Sequence, residues 1–163
     1  MLKESFKPII GDRPKILILG SLPGDISLTK QEYYAHPQNR FWKVLSSIYD
    51  VDYPISYKNK IEFLKQNRIA LWDVCSSAYR IGSMDTAIKY PKWNDIDGLL
   101  QNNPEIKTVI FNGKKAEHLF NKKHKRTENI KYVCLPSTSP ANASWNFDKL
   151  MQTWKEVSKF NEK

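Results

Sequence analysis

Four short runs of consecutive apolar, largely β-branched residues fix what this chain can fold into: KILILG (Lys15 to Gly20), IALWDV (Ile69 to Val74), KTVIFNG (Lys107 to Gly113) and IKYVCLP (Ile130 to Pro136). A strand that alternates apolar and polar residues can show one face to water, whereas one that is apolar throughout must be covered on both faces. Between the runs the spacing becomes helical, at Phe41, Trp42, Leu45, Ile48 and Tyr49, then Ile61 and Leu64, then Ile96, Leu99 and Leu100. Strand and helix in repetition imply a parallel sheet, because right-handed crossovers lay the helices on both faces. The expected fold is α/β, a three-layer α/β/α sandwich around a central four-stranded parallel sheet. The segment Ser144 to Phe160 is predicted to close the chain as one helix, its Phe147, Leu150, Met151, Trp154, Val157 and Phe160 facing the core. A single domain over residues 1–163 is expected.

Lys and Arg number 26 against 17 Asp and Glu, a formal charge of +9 with a pI near 9.5. Such a surface attracts polyanions, and it fits either a nucleic-acid partner or an ordinary lysine-rich exterior. The two cysteines, Cys75 and Cys134, sit singly in strand-like stretches, which argues against a disulfide framework, a zinc site or an iron-sulfur cluster. His36, His118 and His124 are scattered and no HExxH occurs, so neither metal nor cofactor is expected. The N-terminus lacks the apolar core of a signal peptide, and no run is long enough to cross a bilayer. An intracellular protein with no membrane partner is expected.

In open parallel sheets ligands bind beyond the carboxyl ends of the strands. Two loops there carry most of the chemistry. GSLPGDISLTKQEYYAHPQNRFW follows the first strand; Gly20 and Gly24 permit close backbone approach and Pro23 stiffens the turn between them. The loop has neither the Lys of a Walker A motif nor a GxGxxG. LPSTSPANASW follows the fourth strand and offers Ser137, Thr138, Ser139 and Asn142 near an expected helix start, where short polar groups suit phosphate or leaving-group oxygens or serve as plain caps.

Taken together, GSLPG, then YYAHPQNRFW, then LPSTSPAN, with LWDV and VIFNGKKA between them, resembles the uracil-DNA glycosylase superfamily over nearly the whole chain, most nearly its hypoxanthine-DNA glycosylase branch. The resemblance implies a cofactor-free enzyme, expected as a monomer, that extrudes a damaged base from DNA and cuts its N-glycosidic bond. The wider superfamily often has Asp or Asn for the attacking water at the third position of the GxxPG turn, where this chain has Leu22. In the hypoxanthine branch that duty falls to the Asn of the NRFW stretch, here Asn39, which also suits a helix cap. Ser137 stands where the uracil branch carries a leaving-group histidine, and Ala141 where an apolar wedge is common.

The resemblance further gives a base pocket of Ser21, Leu22, Pro23 and Gly24, with Tyr34 and Phe41 as stacking platforms and Asp73 reading the base edge. Core packing for the two rings and a structural network for Asp73 are the alternatives. Ser27, Lys114, Ser139 and Asn142 are candidate contacts to the DNA backbone. Asn112 reads as the residue that turns the chain into the next helix. No lysine beside the loops has an obvious nucleophilic setting, so hydrolysis without a Schiff-base step is expected. Three other readings stay open: excision of uracil or several deaminated bases, a small α/β enzyme acting on nucleotides or phosphorylated metabolites, and a DNA-binding relative without turnover.

Overall fold

The computed structural model describes residues 1–83 and 87–160. Its elements in chain order are β1 (Leu2–Glu4), β2 (Ile16–Gly20), α1 (Asp25–Lys30), α2 (Phe41–Ile48), α3 (Tyr57–Gln66), β3 (Ile69–Asp73), β4 (Cys75–Tyr79), β5 (Lys89–Trp93), α4 (Ile96–Asn102), β6 (Thr108–Asn112), α5 (Lys114–Lys123), β7 (Lys131–Leu135), α6 (Phe147–Trp154) and α7 (Val157–Phe160).

The four apolar runs supply β2, β3, β6 and β7, which form one parallel sheet in the order β3-β2-β6-β7. Successive side chains of a strand point to opposite faces, and the central strand shows this cleanly. Ile16 and Ile18 of β2 enter one core with Phe41, Leu45 and Trp154, while Leu17 and Leu19 enter the other with Ile96, Leu119 and Phe120. Helices α2, α3, α6 and α7 thus cover one face, and α4 and α5 the other. All four of these β2 side chains are fully buried, each worth about 1.5–3 kcal/mol relative to exposure. The three-layer sandwich expected from the sequence is the fold observed.

Two features differ from expectation. The stretch Ser144 to Phe160 is not one helix: Asn146 caps α6 by accepting the Lys149 N–H at 2.9 Å, and α7 is a separate turn beyond Trp154. The helix that follows the polar loop after β7 therefore starts only at Phe147. There is also a second, antiparallel sheet of order β1-β4-β5, reached from β3 through Val74 alone.

That small sheet braces the loop after β2. Lys3 of β1 pairs with Asp25, and Ser5, just beyond β1, donates to the Asp73 carboxylate at 2.9 Å. Arg80, almost wholly buried after β4, donates to the carbonyls of Leu22 and Pro23, and Ser83 Oγ accepts the Asp25 N–H at 2.8 Å. Carbonyls that the turn cannot bond within itself are satisfied by a guanidinium, which a buried backbone requires.

Candidate active site

β2 has β3 on one side and β6 on the other, and at this switch point the crevice of an open α/β sheet opens. A cleft of about 860 Å³ occupies it. The four parallel strands end on Gly20, Asp73, Asn112 and Leu135, and all four residues line the cleft. The loops after β2 and β7 make its walls.

At the floor, Gly20 is required for space. A Cβ there would lie 2.7 Å from Asp73 Oδ1 and 2.9 Å from the Tyr34 hydroxyl, so the bare backbone lets a carboxylate and a phenol converge over the strand end. Asp73 is 3% exposed, its Oδ2 holding the Ser5 hydroxyl. Tyr34 adopts a left-handed φ of 54°, an uncommon backbone state for an aromatic residue, and it lies half-buried in the cleft wall.

Phe41, expected as a second platform for the base, does not reach the cleft. It is wholly buried and stacks on Tyr34 from behind, centroids 4.1 Å apart and planes 21° apart. Tyr34 therefore lines the cleft with a ring backed by Phe41, its hydroxyl buried over the end of β2.

The two motif loops are tied together at Asn39. Its Oδ1 accepts the Phe41 N–H at 3.0 Å, which opens α2, and the Thr138 hydroxyl at 2.9 Å. Asn112 is more than a turn residue: its Oδ1 accepts the Thr138 N–H and its Nδ2 donates to Thr138 Oγ1, both at 3.0 Å. Arg40 completes the tie. Its backbone N–H and Nε donate to the Thr138 carbonyl, and its terminal nitrogens to those of Ser139, Asn142 and Trp145. Desolvation pulls its pKa below the usual arginine value, yet a guanidinium remains charged at neutral pH.

Ser137 lines the same cleft as Asn39, its Oγ accepting the Ser139 N–H at 3.2 Å and keeping its own proton to give. Its Cβ sits against Gly113, whose φ of 98° suits glycine and where a Cβ would come within 3.0 Å of Ser137.

Ser21, Leu22, Pro23 and Gly24 all line the cleft, but Leu22 also packs into the apolar layer with Val74 and Ile96, so its side chain is a wall with no polar role. Of the candidate DNA contacts, Lys114 is exposed at the rim. Ser27 is buried with its Oγ accepting the Ala35 N–H, Ser139 Oγ accepts the Ala141 N–H, and Asn142 donates to the Ser137 carbonyl. These three brace their own loops. Lys115, Ser83 and Cys134 line the cleft too, although the sequence did not single them out. Burial and the nearby Glu117 push the Cys134 thiol up to about 11. Among the described residues no group of three or more His, Cys, Asp or Glu side chains is placed to hold a metal ion, and no helix is long and apolar enough to cross a membrane.

The fold and this cleft define a class that comparison with known proteins identifies. The family model described as uracil DNA glycosylase superfamily matches residues 8–162, and the chain belongs to that superfamily. It is 48% identical over 117 residues to a hypoxanthine DNA glycosylase of Methanosarcina barkeri, spanning 71% of this chain and 74% of that protein. A hypoxanthine DNA glycosylase of Methanosarcina acetivorans is 37% identical over 161 residues, 96% of this chain and 98% of that one. A solution NMR structure from Methanosarcina acetivorans, described as a candidate uracil DNA glycosylase, superposes with a TM-score of 0.83 at 35% identity over the full length of both chains.

Proposed function

We propose that this chain is a monofunctional DNA glycosylase that hydrolyses the N-glycosidic bond of a deaminated base in DNA, hypoxanthine first among them. The observation that carries the reading is the convergence of Asn39, Ser137, Tyr34 and Asp73 on one cleft at the carboxyl edge of the sheet, together with the two hypoxanthine DNA glycosylases to which the chain is similar.

A base inside a duplex must leave the stack before its sugar bond can be reached, and a cleft of this size accepts an extruded purine. Tyr34 offers it an aromatic surface backed by Phe41. Asp73 can accept from the N1–H of hypoxanthine; adenine has a lone pair at that position and would face the carboxylate unfavourably. Cleavage develops positive charge on the deoxyribose and negative charge on the purine. Ser137 can donate to the departing base, and Asn39 can hold the water that traps the sugar cation. The net charge of +9, with Lys114 and Lys115 at the rim, favours a polyanionic substrate. Neither lysine is fully buried, which is the setting that makes an amine nucleophilic, so hydrolysis proceeds without a Schiff base.

Labelled duplexes carrying deoxyinosine, deoxyuridine or deoxyxanthosine, followed by alkaline cleavage, test the proposal. Strand scission at deoxyinosine is expected, with no DNA-protein adduct trapped by borohydride. Strong uracil release beside intact deoxyinosine would overturn the choice of base, and no release from any duplex would overturn the activity.

A further inference from the structure

We infer that Asn39 works only as a hydrogen-bond donor, through Nδ2, and that Thr138 and Asn112 are the positioning residues that lock it in that orientation. This rests on the reading above that Asn39 acts at the glycosidic bond.

The directions follow from two backbone N–H groups, which can only donate. Phe41 N lies 3.0 Å from the Asn39 amide, so the atom facing it must be the carbonyl oxygen; the flipped amide would set an NH2 against an N–H. Thr138 N lies 3.0 Å from the Asn112 amide, which fixes that Oδ1 likewise and turns Asn112 Nδ2 toward Thr138 Oγ1. Having received that proton, Thr138 gives its own to Asn39 Oδ1 at 2.9 Å. Thr138 is fully buried and Asn112 8% exposed, so no water competes for these positions. Every step of the chain, from Asn112 through Thr138 to Asn39, has a single allowed sense.

Both acceptor positions of Asn39 Oδ1 are thereby filled, and Nδ2 has no partner among the described residues. Asn39 is half-buried and lines the cleft, where its free N–H groups are what it can offer a ligand. A donor can anchor the oxygen of a water and leave another lone pair aimed at C1′, but it cannot take the water's proton. The step balances without a protein base. The C1′–N9 bond breaks with its electron pair passing to the purine, the water oxygen bonds to C1′, and the proton it sheds ends on the purine anion. The products are neutral hypoxanthine and an abasic deoxyribose.

The test is single-turnover excision from a deoxyinosine duplex by N39A, N39D, T138V, T138S and N112D, each checked for folding by circular dichroism. A carboxylate in place of the Asn39 amide would keep both bonds at the acceptor oxygen and lose the donors, so N39D is expected to fall at least as far as N39A, by about a hundredfold. T138V removes the hydroxyl, and N112D offers that hydroxyl a competing acceptor. Both should slow the chemical step by about tenfold or more while affinity for uncleaved DNA stays within about twofold, and T138S should restore the rate. Should T138V not fold, N112D carries the same comparison. N39D turning over near the wild-type rate, or with an acid limb reporting a carboxylate base, would overturn the inference while leaving Asn39 at the centre. T138V or N112D at the wild-type rate would overturn it too. N39A at the wild-type rate would instead remove Asn39 from the reaction altogether.

Discussion

Tyr34 and Phe41 lie face to face, 4.1 Å between centroids and 21° between planes, one ring in the cleft wall and the other wholly buried. Phe41 in turn meets Trp42 and Trp154 edge-on, so the cleft's aromatic wall is anchored through Phe41 to the helical layer beneath. Removing the two rings should have different consequences. Phe41→Ala should cost about 3–5 kcal/mol in chemical denaturation, the loss expected for a buried aromatic. Tyr34→Ala should cost less stability and instead weaken binding to a deoxyinosine duplex by about 1–3 kcal/mol, the worth of one base-aromatic stack. Equal effects on binding and stability for both variants would contradict this division.

Arg40 is one side chain serving carbonyls of Thr138, Ser139, Asn142 and Trp145. Lysine has no planar fork and cannot span the same set. Arg40→Lys should therefore destabilise the loop by about 1–3 kcal/mol, visible as faster amide exchange over residues 137–145, and lower activity because Asn39 and Ser137 lose their common frame. Unchanged exchange with lost activity would point to a direct role for the guanidinium at the substrate.

Cys134 lines the cleft with its thiol pushed up to about 11, from an ordinary value near 9. The thiol, not the thiolate, is present at neutral pH, so iodoacetamide at pH 8 should leave it unmodified in the folded protein. The sign for stability is equally definite. Between about pH 9 and 11 the unfolded chain releases this proton while the folded one keeps it, so Cys134 should make stability fall across that window, with its full contribution below pH 9. Cys134→Ser should flatten the fall measured by pH-dependent denaturation.

The main sheet was legible because β2, β3, β6 and β7 are apolar on both faces, a pattern that leaves few other folds open. The small sheet was not. Its strands LKE, CSSAY and KYPKW are short and polar, and Pro91 argues against a strand unless the strand is at an edge, where β5 lies. At the site, Asn39 and Ser137 were visible through the motifs that contain them. Phe41 was misplaced because an aromatic at helical spacing suits a core and a pocket alike. Asn112 before Gly113 looks like a chain reversal in sequence; only its contacts with Thr138 show the second use. Arg40 and Arg80 left no signal either, since long cationic side chains ordinarily face water or phosphate, and here both fold back onto carbonyls of the loops.

Asp73 and Gly20 give the sharpest test of which base is read. The carboxylate Oδ1 stands over the end of β2, where a Cβ on Gly20 would come within 2.7 Å of it, so Gly20→Ala should displace Asp73 or Tyr34 and cut deoxyinosine excision by about tenfold or more with the fold intact. Asp73→Asn makes the complementary change, keeping the shape and replacing an acceptor by a group that both donates and accepts. If Asp73 accepts from hypoxanthine N1–H, the Asn variant can still accept there through Oδ1 while its NH2 donates to O6, but the same amide turned over would serve adenine's N1 and N6–H2 equally well. Uracil presents the same pairing of ring N–H and carbonyl as hypoxanthine, so the substitution does not favour one of these bases over the other. The hypoxanthine-to-adenine ratio of kcat/KM should therefore fall, by about 1–3 kcal/mol in discrimination, because the amide no longer repels the N1 lone pair of adenine. Because Asp73 also holds the Ser5 hydroxyl, Ser5→Ala serves as the control. A ratio that shifts as far in that variant as in Asp73→Asn would mean the carboxylate acts through the small sheet and not on the base.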